Sequence, residues 1–322
     1  MIKLQDVSCS NIMISVVVPV FNEEESILHF YSELKKYLPT WSKDHEIIFV
    51  DDGSTDKTLS LLKDLQKKDP KVRIFAFRRN HGKAEALTFG FQEAQGDLIL
   101  TLDADLQDKP SEVKKLLDKQ KEGFDLVSGW RKERKDSFAK IIFSKMFNFM
   151  AGTFWGVRLH DYNCGLKLYT RDLAQSLNLY GGMHRFIPLL AAQEGFSVTE
   201  VAVVHDIRRF GKSKYNAIKV FTQMPDMMTM LFLSKYSKRP LHFFGFIGMI
   251  LVFLGILIFI YLSILHFQGH SIGRRPLLTI DMILIISGLQ TGFTGLIADL
   301  ILHISSKNEK TSSILLKYSS KE

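Results

Sequence analysis

The chain has 322 residues, 46% of them hydrophobic and 24% charged, with a formal net charge of +8. That is room for one soluble domain and a membrane appendix, because mixed, charged sequence runs to about Pro240 and apolar residues dominate beyond it. Cys9 and Cys164 lack metal-type spacing, which argues against a disulfide scaffold or cysteine cage, and the basic residues crowd at Lys235, Lys238 and Arg239, where anionic headgroups rather than nucleic acid would meet them.

The first eleven residues are polar and do not read as a signal peptide, so the globular part is expected in the cytoplasm. Strand-like and helix-like runs then alternate, the pattern of βαβ units around a parallel sheet. Ile14-Ser15-Val16-Val17-Val18-Pro19-Val20 reads as the first strand, and Glu23-Glu24-Glu25-Ser26 suits the opening turn of the next helix. Glu46-Ile47-Ile48-Phe49-Val50 is the second strand, with Ser54 or Thr55 as cap of a helix running toward Lys68. A third strand is predicted over 72–77, a helix over about 83–94, and then the strand Leu98-Ile99-Leu100-Thr101-Leu102 running into Asp103-Ala104-Asp105. Asp125-Leu126-Val127-Ser128-Gly129 follows as a fifth strand, and Glu200-Val201-Ala202-Val203-Val204 as a later edge strand. The aromatic stretch 138–150 fits either a buried core helix or a helix lying in the bilayer interface.

Residues 241–266 are almost uncharged, and only Asp281 and Asp299 interrupt 277–302; each stretch can cross a hydrocarbon core of about 30 Å. Two spans return both tails to one side, and Lys307 and Lys310 join the upstream basic cluster in favouring a cytoplasmic face, with Arg274 and Arg275 opposing the rule. Gly288 and Gly292 have the small-xxx-small spacing of close helix approach, a weak pointer to a homo-oligomer. The predicted division is a catalytic part over 1–213, a juxtamembrane amphipathic helix region over 214–240, two spans over 241–303 and a tail over 304–322.

Asp103 and Asp105 stand at the carboxyl end of a strand, where open α/β sheets bind ligands. In an extended chain they would face opposite ways, so a turn near Ala104 is needed for both to serve one ion. Asp105 is the expected direct ligand of Mg²⁺ or Mn²⁺, with Gln107 close enough to join it and Asp103 contacting a sugar or supporting the ion; hard oxygen donors suit these ions. Asp51 and Asp52 end a neighbouring strand, where one carboxylate can accept a hydrogen bond from a base or ribose, although the same loop could simply cap a helix. Pro19, Phe21, Asn22 and Glu23 would wall the nucleotide pocket, and Arg79-Asn80-His81-Gly82-Lys83 supplies cations, Lys83 among them, and a flexible glycine before a helix, as expected of a diphosphate neighbour. A dehydrogenase is disfavoured because no Gly-x-Gly-x-x-Gly follows the first strand.

These segments resemble glycosyltransferase family 2, with its GT-A fold, and in particular the polyprenyl-phosphate branch. Val17-Val18-Pro19-Val20-Phe21-Asn22-Glu23, Val50-Asp51-Asp52-Gly53-Ser54-Thr55-Asp56 and Leu102-Asp103-Ala104-Asp105-Leu106-Gln107-Asp108 match the nucleotide-sugar half. The branch is marked by Arg131 and Arg134, His160-Asp161-Tyr162-Asn163-Cys164-Gly165, His184-Arg185-Phe186-Ile187-Pro188, and Arg208-Arg209-Phe210-Gly211-Lys212-Ser213-Lys214-Tyr215. The Gln-x-x-Arg-Trp motif of processive synthases is missing.

The resemblance implies an α/β, Rossmann-like, mostly parallel sheet with flanking helices, followed by two transmembrane helices. It also implies an inverting, metal-dependent transfer of one sugar from a UDP- or GDP-sugar to undecaprenyl or dolichyl phosphate at the cytoplasmic face of the plasma membrane; glucose and mannose are the favoured sugars, with N-acetylglucosamine and modified arabinose also open. The acceptor phosphate is largely a dianion at neutral pH and needs cations more than a strong base. Arg131, Arg134, Arg208 and Lys212, with Ser213 as a neutral donor, are the candidates for its cradle. Asp161 is a candidate for the acceptor side, the sugar or a base, and equally for a buried structural carboxylate. The residues 215–236 fit a helix riding on the membrane or one packed on the domain. The alternatives are a family member with another lipid or glycan acceptor, and a non-catalytic membrane module that binds nucleotide sugars.

Overall fold

The computed structural model describes residues 12–132, 159–206, 240–273 and 275–308. The chain divides into two compact units, Met1–Asp226 and Met227–Glu322.

In the first unit the described elements are β1 (Ile14–Val20), α1 (Ile27–Trp41), β2 (His45–Asp51), α2 (Thr58–Lys68), β3 (Val72–Ala76), α3 (Lys83–Glu93), β4 (Leu98–Thr101), α4 (Val113–Gln120), β5 (Leu126–Arg131), β6 (Lys167–Thr170), α5 (Arg171–Ser176), α6 (Ile187–Gln193) and β7 (Val198–Val203). Seven strands form one sheet in the order β3-β2-β1-β4-β6-β5-β7. Every neighbouring pair is parallel except the two made by β6, which runs antiparallel to β4 and β5. The sheet is therefore mostly parallel with flanking helices, as the sequence predicts.

The central strands are buried on both faces. β2 and β4 are buried at every residue and β1 at all but Pro19, which is why they read as unbroken apolar runs, whereas the edges β3 and β7 are only partly covered. Helix α1 lays Ile27, Phe30, Leu34, Leu38 and Trp41 on the sheet at three- and four-residue intervals.

Two local details differ from the sequence reading. Strand β6 is absent from it: the strand has four residues, and Lys167, a residue type that normally signals a solvated position, is 3% exposed. The start of α2 is not capped by Ser54 or Thr55. The Asp56 carboxylate accepts the Thr58 amide at 2.9 Å, while the Ser54 hydroxyl faces back to Asp51 and receives the Asn22 amide.

Strand order decides where a site can form. The chain runs outward from β1 through β2 to β3, then returns to the other side of β1 as β4, so a crevice opens where the loops after β1 and β4 part. Because β6 is antiparallel, its amino end and the preceding loop 159–166 arrive at the same sheet edge as the carboxyl ends of its neighbours.

The second unit contains α7 (Pro240–Phe267) and α8 (Pro276–Asn308), which hold stretches of 28 and 27 residues long and apolar enough to cross a membrane. Glycines set their approach to each other: a Cβ on Gly248 would come within 2.6 Å of the Gly288 carbonyl, and one on Gly255 within 2.5 Å of Ile285. Gly288 thus packs inside this hairpin. The segments 138–150 and 214–239 lie outside the described residues, as do Arg134, Arg208, Lys212 and Ser213.

Candidate active site

The loops after β1, β2 and β3 are laced into one ridge. Asn22, at φ 53°, accepts the Thr55 amide on its side-chain oxygen at 2.8 Å, and the Glu23 amide donates to Thr58 Oγ1 at 2.8 Å. Asp51 is 1% exposed, and Oδ1 accepts the Ser54 amide at 3.1 Å. Asp52 accepts the amides of His81 and Gly82 at 2.7 and 2.9 Å, which fastens the loop before α3 to the end of β2. Gly53 sits at φ +72°, and a Cβ there would lie 2.5 Å from the Arg79 carbonyl carbon, so close contact between these loops requires glycine. Asn22, Asp51 and Asp52, singled out as nucleotide contacts, therefore also build the ridge, and Pro19, Phe21 and Glu23 stand beside it.

Strand β4 stops at Thr101, and the chain turns at Ala104 and Asp105, the geometry that Asp103 and Asp105 need to face one region. Asp105 Oδ1 receives the Gln107 amide at 3.2 Å, and Leu106 takes a positive φ of 60° to complete the turn. Lys83, the first residue of α3, places Nζ 2.5 Å from Asp103 Oδ1, with each side chain 34% exposed. Burial disfavours the Lys83 charge, but Asp103, aided by Asp108 and Asp105, outweighs it and raises the ammonium above its usual range. Burial likewise works against the Asp103 carboxylate, and Lys83 overturns that, holding it below the usual value.

Gly165 lies against this turn. A Cβ there would stand 2.7 Å from Asp103 Oδ2 and 2.9 Å from Asp108 Oδ2, so both carboxylates face one patch of backbone. Asp108 is 4% exposed, with His205 Nδ1 at 3.1 Å from its Oδ1.

Arg131, the last residue of β5, donates Nε and Nη2 to Asp161 at 2.7 and 3.1 Å. Asp161 is 1% exposed and also accepts the Asn163 amide at 3.1 Å. Burial opposes the guanidinium charge, and Asp161 more than restores it. Next to the pair, Trp130 and His160 stack with centroids 4.1 Å apart.

The structure adds residues that sequence reasoning passed over. Thr101, Lys167, Tyr169 and His184 line a pocket with Lys83 and Asp103. His184 had a visible signal, since it heads one of the quoted motifs, but no local pattern assigned it a role.

The donor set around Asp105 fits a hard divalent cation. Among the described residues no three His, Cys, Asp or Glu side chains form a cage, so an ion here would take most of its oxygens from phosphates and water, as Mg²⁺ and Mn²⁺ commonly do.

A sequence profile described as glycosyl transferase family 2 matches residues 15–177. Dodecaprenyl-phosphate galacturonate synthase of Rhizobium johnstonii is 36% identical over 310 residues, covering 94% of this chain and 92% of that protein. Undecaprenyl-phosphate 4-deoxy-4-formamido-L-arabinose transferase of Proteus mirabilis is 34% identical over 254 residues, 79% of this chain and 76% of its own. Among solved structures, glucosyl-3-phosphoglycerate synthase of Mycobacterium tuberculosis, in complex with Mn²⁺ and UDP-glucose, has a TM-score of 0.53 at 19% identity, over 70% of this chain and 79% of that one. At that identity the likeness is one of fold.

Proposed function

The chain belongs to glycosyl transferase family 2, and from that premise we propose that it transfers a single sugar from a nucleotide-sugar donor to a polyprenyl phosphate at the cytoplasmic membrane face. The observation that carries this reading is the match to a named polyprenyl-phosphate sugar synthase over 94% of the chain, a span too long to exclude the two apolar helices. Those helices anchor the enzyme as a two-span hairpin, with the basic residues at 235–239 and Lys307 and Lys310 on the cytoplasmic side.

The donor lies across the carboxyl edge of the sheet, its nucleoside against the ridge of Asn22, Asp51 and Asp52, and its diphosphate near Lys83 and the turn of Asp103 and Asp105. Asp105 with Gln107 would hold Mg²⁺ or Mn²⁺, which when bound neutralises charge on the departing nucleoside diphosphate. Lys83 adds to that neutralisation with an ammonium already fixed at the site before the donor arrives.

An oxygen of the prenyl phosphate attacks the anomeric carbon from the face opposite the diphosphate. The new carbon–oxygen bond forms as the old one breaks, its electron pair stays on the diphosphate, and the configuration inverts. The dianionic acceptor needs no base, which accords with Asp161 being enclosed and paired. Asp161 instead aims Arg131, which with Arg134, Arg208, Lys212 and Ser213 holds the acceptor phosphate.

The relatives are named for galacturonate and formamido-arabinose transfer, which brings forward the modified arabinose already among the open donors and sets galacturonate beside the favoured glucose and mannose. The test is to incubate the detergent-held full chain with undecaprenyl phosphate, Mg²⁺ or Mn²⁺, and radiolabelled UDP- and GDP-sugars that include all four. Label from one donor should enter the organic phase as an inverted glycosyl phosphate; no label from any donor with either ion overturns the reading.

A further inference from the structure

The pocket that Lys83 and Asp103 help to line is completed by Thr101 of β4, by Lys167 and Tyr169 of β6, and by His184. Its polar groups are mostly satisfied within the protein. Lys83 pairs with Asp103, the Thr101 hydroxyl donates to the Gly165 carbonyl at 2.8 Å, and Lys167 Nζ donates to the Cys164 carbonyl. His184 differs: its Nδ1 is enclosed and has no hydrogen-bond partner among the described residues. An enclosed polar atom without a partner is costly unless a ligand or an ordered water supplies one.

The ring is also held uncharged. Burial, then the nearby charges of Lys83 and Arg185, push its pKa down to about 3, against the weaker pull of Asp103. A neutral imidazole carries one N–H donor and one lone pair, a poor partner for a phosphate dianion and a good one for a hydroxyl, which can both give and accept.

Position narrows the ligand further. The ridge proposed for the nucleoside is built on the ends of β1 and β2, whereas this pocket is lined from β4 and β6 together with His184 and with Lys83 and Leu87 of α3. The cavity is about 20 Å³, room for a single hydroxyl-sized group rather than a whole ring, so a donor laid along the sheet edge with its diphosphate at Lys83 would insert one sugar hydroxyl into it.

Building on the proposed transfer reaction, we infer that His184 hydrogen-bonds a ring hydroxyl of the transferred sugar and is a specificity-determining residue for the donor. Thr101, Lys167 and Tyr169 line the same cavity and set the room left for that hydroxyl.

The experiment measures binding without acceptor, by calorimetry on the detergent-held full chain. UDP alone is compared with UDP-galacturonate and UDP-glucose, in the parent, His184→Ala and His184→Gln. His184→Ala should weaken the better-bound UDP-sugar about tenfold and leave UDP within about twofold, because only the sugar loses a partner. His184→Gln, which can still donate and accept, should recover most of the loss. Equal affinity for the UDP-sugar in parent and His184→Ala overturns the inference, and so does a parallel loss for UDP and UDP-sugar, the signature of a merely structural histidine. Since no prenyl phosphate is present, failure here is distinct from failure of the acceptor assignment, which the organic-phase assay reads.

Discussion

Lys83 and Asp103, twenty residues apart in the chain, meet at 2.5 Å where the start of α3 passes the end of β4. The contact couples the Lys83 cation, proposed to face the donor diphosphate, to the first carboxylate of the Asp103-Ala104-Asp105 turn, so each holds the other ionised. Lys83→Met should lower kcat/KM on the order of a hundredfold by removing a fixed charge from the diphosphate. The melting temperature should move little, since both side chains are one-third exposed. Steady-state kinetics beside a thermal melt separates the two effects, and unchanged kinetics would reduce the pair to a structural contact.

The turn that follows carries the metal prediction. Asp105→Ala should lower activity at least a hundredfold with an unchanged melting temperature, and a chelator should silence the parent until Mg²⁺ or Mn²⁺ is returned. Activity indifferent to both treatments would remove the ion from the mechanism.

Arg131 and Asp161 make a different kind of pair, because Asp161 is 1% exposed and receives two donors from one guanidinium. Asp161→Asn leaves a largely buried cation uncompensated and should destabilise the globular unit by about 3 kcal/mol, read as a lowered denaturation midpoint. Residual activity should keep the parent's pH profile. Loss of the acidic limb of that profile, at full stability, would instead make Asp161 a base.

The long apolar strands were legible because burial on both faces leaves a continuous signature, and β1 matches its predicted span residue for residue. The turn at Ala104 and Asp105 was legible too, on the expectation that Asp103 and Asp105 serve one ion, which an extended chain would prevent. Strand β6 was not: Lys167 is a buried lysine whose ammonium donates to the carbonyl of Cys164, a tertiary fact with no local trace. The same holds for His184 and for the meeting of Lys83 with Asp103, which depend on how a loop and a helix cross the sheet edge. Of the residues proposed to cradle the acceptor phosphate, Arg134, Arg208, Lys212 and Ser213 fall outside those described.

Gly165 gives a prediction that sequence alone could not frame. Gly165→Ala would press a methyl group to within 2.7 Å of Asp103 Oδ2 and 2.9 Å of Asp108 Oδ2, so one or both carboxylates must move. Activity should fall about tenfold or more, since displacing a positioned group by a fraction of an ångström is enough for that. Chelator titration should show a weaker apparent metal affinity; parental values for both would mean that the turn adapts freely.

Far from this edge, Asp69 just after α2 contributes to the acid sensitivity of the fold. Burial alone would push its carboxyl group up, but Lys35 Nζ at 2.6 Å, the Tyr31 hydroxyl at 2.7 Å and the Lys71 amide at 3.0 Å overturn that and hold it at about 2. In the unfolded chain the same group titrates at its ordinary value of 3.8. Folding is therefore favoured fully above that value, and the contribution is lost as pH falls from about 4 toward 2. Lys35 is 43% exposed, so solvent screening trims the effect to on the order of 1–2 kcal/mol. Denaturation midpoints measured between pH 5 and 2 should fall more steeply in the parent than in Asp69→Asn. Parallel slopes would show that other carboxylates govern acid unfolding.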